Sequence, residues 1–205
     1  TVDAGGAGTC DALTNTACNG ALYFSTVTTI VLNNVDVNGT AEQGLNANNI
    51  SNLTVEGCSF TNCGNNEQFE GCMKIRELTG TCLFNNSTFT FASDETVEII
   101  NAVTNGALNL TVTNCTFSDN FDKTFGEKGL HVTTSNTTTN SLTVDNCFFR
   151  RLKSQGVRAS ATAGTFNVNV TDTEFNKDTK KFMSGVEIIP AGTSTMDINV
   201  NRNTM

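Results

Sequence analysis

An all-β chain folded as a right-handed parallel β-helix of about seven coils is predicted by three observations on the sequence. A nine-residue phrase recurs along the whole chain, its apolar positions alternate with polar ones, and an Asn or Asp stands at the break in most copies. The phrase is clearest at Asn109-Leu110-Thr111-Val112-Thr113-Asn114-Cys115-Thr116-Phe117, where Leu110, Val112, Cys115 and Phe117 are the apolar skeleton. Period-2 alternation marks a strand with one buried face, so each copy reads as two short strands meeting at a corner. Asn34, Asn86, Asn114, Asn146 and Asp172 stand at that corner, and these residue types tolerate the left-handed backbone that a sharp turn needs.

The skeleton repeats as Ile30, Leu32, Val35, Val37; Leu53, Val55, Cys58, Phe60; and Cys82, Phe84, Ser87, Phe89. After the clearest copy come Leu142, Val144, Cys147, Phe149; then Val168, Val170, Thr173, Phe175; and Ile198, Val200, Asn203, Met205. The copies lie about 23 to 32 residues apart, the period of a solenoid in which each unit buries its apolar column against its neighbours. A third run follows most copies after a variable loop: 44–47, 73–75, 97–99, 129–132, 156–159 and 185–188. Three strands, one tight corner and two loose loops make one coil. Residues 1–20 do not fit the phrase and read as an irregular N-terminal cap segment, with the β-helix over 21–205. Met205 falls on the Phe117 slot with nothing to turn the backbone away. The expectation is therefore a solenoid that continues past that residue or stacks head to tail on a second copy.

Composition narrows the function classes. The chain carries 12 Lys plus Arg against 20 Asp plus Glu, a net charge of −8, with 16 % of residues charged. Phosphate binding needs a basic stripe, so a nucleic-acid partner is not expected, and anionic membranes are disfavoured for the same reason. No unbroken apolar run is long enough to cross a bilayer. Trp is absent and Pro occurs once, at Pro190, which suits turns and exposed strands. Nine Asn-x-Ser/Thr sequons, at Asn38, Asn49, Asn52, Asn85, Asn86, Asn109, Asn114, Asn136 and Asn169, are read as the outcome of an Asn- and Thr-rich composition.

On its repeated Leu-Thr-Val-x-Asn-Cys-Thr-Phe phrase, the sequence resembles the pectate-lyase-like β-helix superfamily, and within it secreted bacterial tandem-repeat surface proteins. The likeness implies the fold over nearly the whole chain, an extracellular or cell-surface location, and a groove along the third-strand sheet as the place where chemistry would be grafted. The loops 61–71, 90–96, 118–129, 150–156 and 176–185 would border it. The outward slot of that strand gives a column of Tyr23, Asn46, Lys74, Glu98, His131, Arg158 and Glu187.

In that column Lys74 or Arg158 would be the base of a lyase if a neighbour lowered its pKa. A glycosidase needs two carboxylates about 5 to 9.5 Å apart, whereas Glu98 and Glu187 are three coils, or about 14 Å, apart. Mixed signs without a repeated pair read instead as a solvated face that avoids like-charge repulsion. The superfamily's Gly-His-Gly, Asn-Thr-Asp and Asp-cluster motifs are not present, and His131 is the only His. No cofactor and no metal are expected. A second ladder, Asn52/Thr54, Asn109/Thr111, Ser141/Thr143 and Asn167/Asn169, offers an ice- or glycan-binding face, but Val31 and Leu83 interrupt it.

Eight Cys divide into two kinds. Bonds Cys10 to Cys18 and Cys63 to Cys72 would each close a short local loop, while Cys58, Cys82, Cys115 and Cys147 occupy inward slots as small apolar fillers. The functional expectation is a non-enzymatic extracellular scaffold for a surface, fibre or adhesin, with the chain itself or glycans as partners. A polysaccharide lyase or hydrolase is the first alternative and ice or glycan-surface binding the second.

Overall fold

The computed structural model describes residues 20–65, 68–102, 106–120, 122–176 and 184–205. Three parallel sheets of seven, seven and six strands wrap one core. The first strand of every phrase copy enters one seven-stranded sheet: Ile30–Asn33, Leu53–Glu56, Gly80–Asn85, Leu108–Thr113, Thr139–Asp145, Thr165–Thr171 and Thr195–Asn201. The second strand forms the six-stranded sheet, from Asp36–Thr40 through Thr116–Ser118 to Glu174–Asn176. The third runs form the other seven-stranded sheet: Gly20–Val27, Gln43–Ile50, Met73–Leu78, Val97–Asn101, Leu130–Thr134, Gln155–Ala161 and Ser184–Pro190. Among the described residues no helix is long and apolar enough to cross a membrane.

Register follows the phrase slot for slot. Leu110 lies beside Cys82 and Leu142, and Phe117 beside Phe89 and Phe149. Each inward side chain therefore rests on its counterpart one coil away. The rings of Phe60, Phe89, Phe117, Phe149 and Phe175 stack at centroid separations of 5.8, 5.1, 4.7 and 5.2 Å. All five are fully or nearly fully buried. Offset stacking adds about 0.5–1.5 kcal/mol per pair beyond area burial.

The corner residues adopt the backbone that their type predicts. Asn34, Asn86, Asn114, Asn146 and Asp172 have φ between 48° and 54°, and in the two remaining copies Gly57 and Arg202 take the same conformation. The corners also tie neighbouring coils: Asn114 Nδ2 donates to Oδ1 of Asn85, the residue before corner Asn86, at 3.0 Å, and Asn146 Nδ2 to Asn114 Oδ1 at 2.7 Å. Beside them, the polar fillers of the Cys slot satisfy backbone groups of the preceding coil. Ser87 Oγ accepts from Cys58 N at 3.0 Å, and Thr173 Oγ1 from Cys147 N at 3.3 Å.

Truncating the ladder should therefore be far more costly than truncating the outer face. Phe117→Ala is expected to lose about 3–5 kcal/mol by urea unfolding. Thr111→Ala, on the outer face of the same coil, should stay within about 0.5 kcal/mol. Equal losses at the two positions would contradict a core carried by the ring stack.

Candidate functional site: a covered column of ion pairs

The third-strand column is in register over its whole length. Tyr23 pairs with Asn46, Asn46 with Lys74, Lys74 with Glu98, Glu98 with His131, His131 with Arg158, and Arg158 with Glu187. Its setting corrects the expected solvated face. Tyr23 is exposed on the first coil, but Asn46 and Lys74 are 0 % and 2 % exposed. Lys74 Nζ lies 4.9 Å from the centre of the Phe69 ring, so the loop after Cys63 folds over the sheet rather than beside it.

Neighbouring loops are bound into one cover. Phe69 N donates to Asp94 Oδ2 at 2.7 Å, and Asp94 N donates to the Glu70 carbonyl at 2.7 Å. Asn120 Nδ2 then reaches the carbonyls of Asp94 at 3.0 Å and Lys128 at 3.3 Å. Asn120 is itself fully buried. Three loops of different length thus share one hydrogen-bonded seam.

Beneath the seam, charges are matched in a chain. Lys74 Nζ lies 3.4 Å from Glu98 Oε2, and Glu98 Oε1 lies 3.7 Å from His131 Nδ1. Glu95 Oε1 is 3.5 Å from the same His131 nitrogen and 2.9 Å from Lys128 Nζ, which also pairs with Glu127. Farther along, Arg158 Nε meets Glu187 Oε2 at 3.4 Å in a more open setting. Burial pushes the Glu95 carboxyl up, but the His131 ring 3.5 Å away and the Lys128 charge outweigh it and hold the group well below the usual range. Asp94 goes the other way: burial, then the adjacent Glu95 charge, push it up to about 8. A cleft of about 420 Å³ opens beside these groups, lined by Asp94, Phe125, Glu127, Lys128, Lys153 and Arg158 among others.

Asp94, Glu95, Glu127 and Lys128 were not legible as site residues because they stand in loops outside the repeated phrase. Their spacing carried the missing sign. Glu95 precedes Glu98 by three residues and Lys128 precedes His131 by three, and Glu98 pairs with His131 across the sheet. Equal offsets from paired strand positions bring the two loop residues together. The second ladder is in register too, Asn109 beside Ser141 and Ser141 beside Asn167, with Val31 and Leu83 both facing Thr54.

The right-handed β-helix family model matches residues 8–204. The chain belongs to that family. No curated protein and no solved structure matches this β-helix in the other two comparisons.

The cysteines of the β-helix differ from expectation at one pair. Cys63 and Cys72, expected as a disulfide, stand as completely buried free thiols. Cys72 Sγ also lies 3.3 Å from the Phe60 carbonyl and 3.6 Å from that of Thr90, so the S–H group is satisfied without a covalent bond. Burial pushes the Cys72 thiol up. Cys58, Cys82, Cys115 and Cys147 are buried thiols as well, and the proposed Cys10–Cys18 bond lies outside the described residues.

Two measurements follow from this geometry. Breaking the buried pair with Lys74→Ala should cost about 3–5 kcal/mol, because Glu98 is left uncompensated. Arg158→Ala, at the open pair, should cost about 0–1 kcal/mol; similar losses would show that the cover does not exclude water. Iodoacetamide applied to the native chain should leave all six described cysteines unmodified by peptide mapping, and modify them after unfolding. Native labelling of Cys63 or Cys72 would show that the loop cover opens.

Proposed function

We propose that this β-helix is a non-enzymatic extracellular scaffold for a cell surface, fibre or adhesin. The observation that carries the reading is the state of the groove column: its charges are spent on each other, from Lys74 to His131 beneath a hydrogen-bonded cover and at Arg158 and Glu187 in a more open pair. Lys74 is committed to Glu98, and Arg158 to Glu187. A uronate lyase requires a free base at an open groove; Lys74 is enclosed, and Arg158, which does line the cleft, is paired with Glu187. Further copies of the chain are the proposed partners of such a scaffold, since parallel strand edges with apolar slots template another coil. Glycans held along the outer Asn/Thr ladder are compatible with this role.

A second reading, glycoside hydrolysis, is favoured by one specific observation. Asp94 lines the cleft with a pKa near that of a general acid at neutral pH, next to the carboxylates of Glu95 and Glu127. Incubation of the purified chain with polyuronates and neutral polysaccharides separates the two. The scaffold reading expects neither unsaturated uronates nor new reducing ends, and light scattering should show end-to-end association. Reducing ends that disappear in Asp94→Asn would replace it with the hydrolase.

A further inference from the structure

Glu95, Glu98 and His131 bring three donor atoms to one point. The imidazole Nδ1 and one oxygen of each carboxylate all lie within 4.8 Å of one another. From Nδ1 the separations are 3.5 Å to Glu95 Oε1 and 3.7 Å to Glu98 Oε1. Hydrogen bonds of this type run at about 2.7–3.2 Å, and Nδ1 is buried without a hydrogen-bond partner. Donors on a tetrahedral ion with bonds of about 2.0–2.2 Å lie about 3.3–3.6 Å apart along its edges. Both separations from Nδ1 are longer than a hydrogen bond and close to the edge of such a ligand shell.

The ring is also held from behind. Thr133 Oγ1 lies 3.2 Å from His131 Nε2 and 2.9 Å from Ser160 Oγ on the next coil. Anchoring one ring nitrogen in this way is what orients the other toward a metal. Lys74 sits at Glu98 Oε2, which leaves Oε1 free for an ion, and Lys128 keeps Glu127 as a partner when it cedes Glu95.

We propose that Glu95, Glu98 and His131 form a binding site for a divalent transition-metal ion of the zinc class. Two carboxylates already balanced by two ammonium groups offer little to calcium, which takes six to eight oxygens. The imidazole nitrogen selects the softer ion. Three protein donors leave a four-coordinate ion one position for water. The site stands independently of the scaffold reading, since it needs no substrate.

The full 205-residue chain, stripped of metal by dialysis, should be titrated with cobalt(II) and with zinc(II). The expected result is one ion per chain at this site, intense visible cobalt bands of a four-coordinate centre, and a raised melting temperature. Glu98→Gln, which keeps the side-chain shape, and His131→Gln should each weaken binding more than about tenfold, while Arg158→Ala leaves it unchanged. No cobalt bound above the weak background of exposed carboxylates would overturn the site, and this result needs no variant to fold. Binding that survives both substitutions, or a near-ultraviolet cobalt–thiolate band that accounts for the whole signal, would assign the metal to cysteines and overturn it equally.

Discussion

Parallel, in-register stacking is the constraint on which everything else in this molecule depends. Each residue rests on its counterpart one coil above and one below, so a side chain must tolerate a column of its own equivalents. Phenylalanine does so by stacking rings, as from Phe60 to Phe175. Asparagine does so because its amide carries a donor at one end and an acceptor at the other. Asn146 accordingly donates to Asn114, its counterpart one coil earlier, and Asn114 donates to Asn85, next to the corner before it. Charges cannot repeat in this way, and the third-strand column alternates instead, with Lys74 beside Glu98 and Arg158 beside Glu187.

The same constraint explains what was legible in the sequence and what was not. Strand faces, corner residues and the pairing of the whole column could be read because the phrase repeats and register follows from it. The loops escaped the reading because their lengths differ from coil to coil, so no alignment places Phe69, Asp94 or Asn120. These residues decide that Lys74 is buried. Column signs alone gave a solvated face, and only the loop seam turns it into a set of enclosed ion pairs. Cys63 and Cys72 are a related case: they are near in sequence, yet both stand as buried thiols, with carbonyl acceptors on Phe60 and Thr90 beside the Cys72 sulfur.

Enclosure also explains why Asp94 and Glu95 part company. Both are carboxyls in the same loop, yet one is held down and the other pushed up to about 8. Burial penalises the charged form of each. Glu95 escapes the penalty through His131 and Lys128, and its retained charge then raises its neighbour. Two adjacent acids thus become chemically distinct through what the next coil presents to them.

The loop seam has a mechanical consequence. Along the axis of the solenoid, tension acts on inter-coil hydrogen bonds one layer at a time, so an unreinforced stack opens like a zipper from its ends. Where Phe69 grips Asp94 and Asn120 spans the carbonyls of Asp94 and Lys128, opening one layer also requires tearing a side-chain strap. These coils therefore act as a clasp, and fraying that spreads along the solenoid meets resistance when it reaches them.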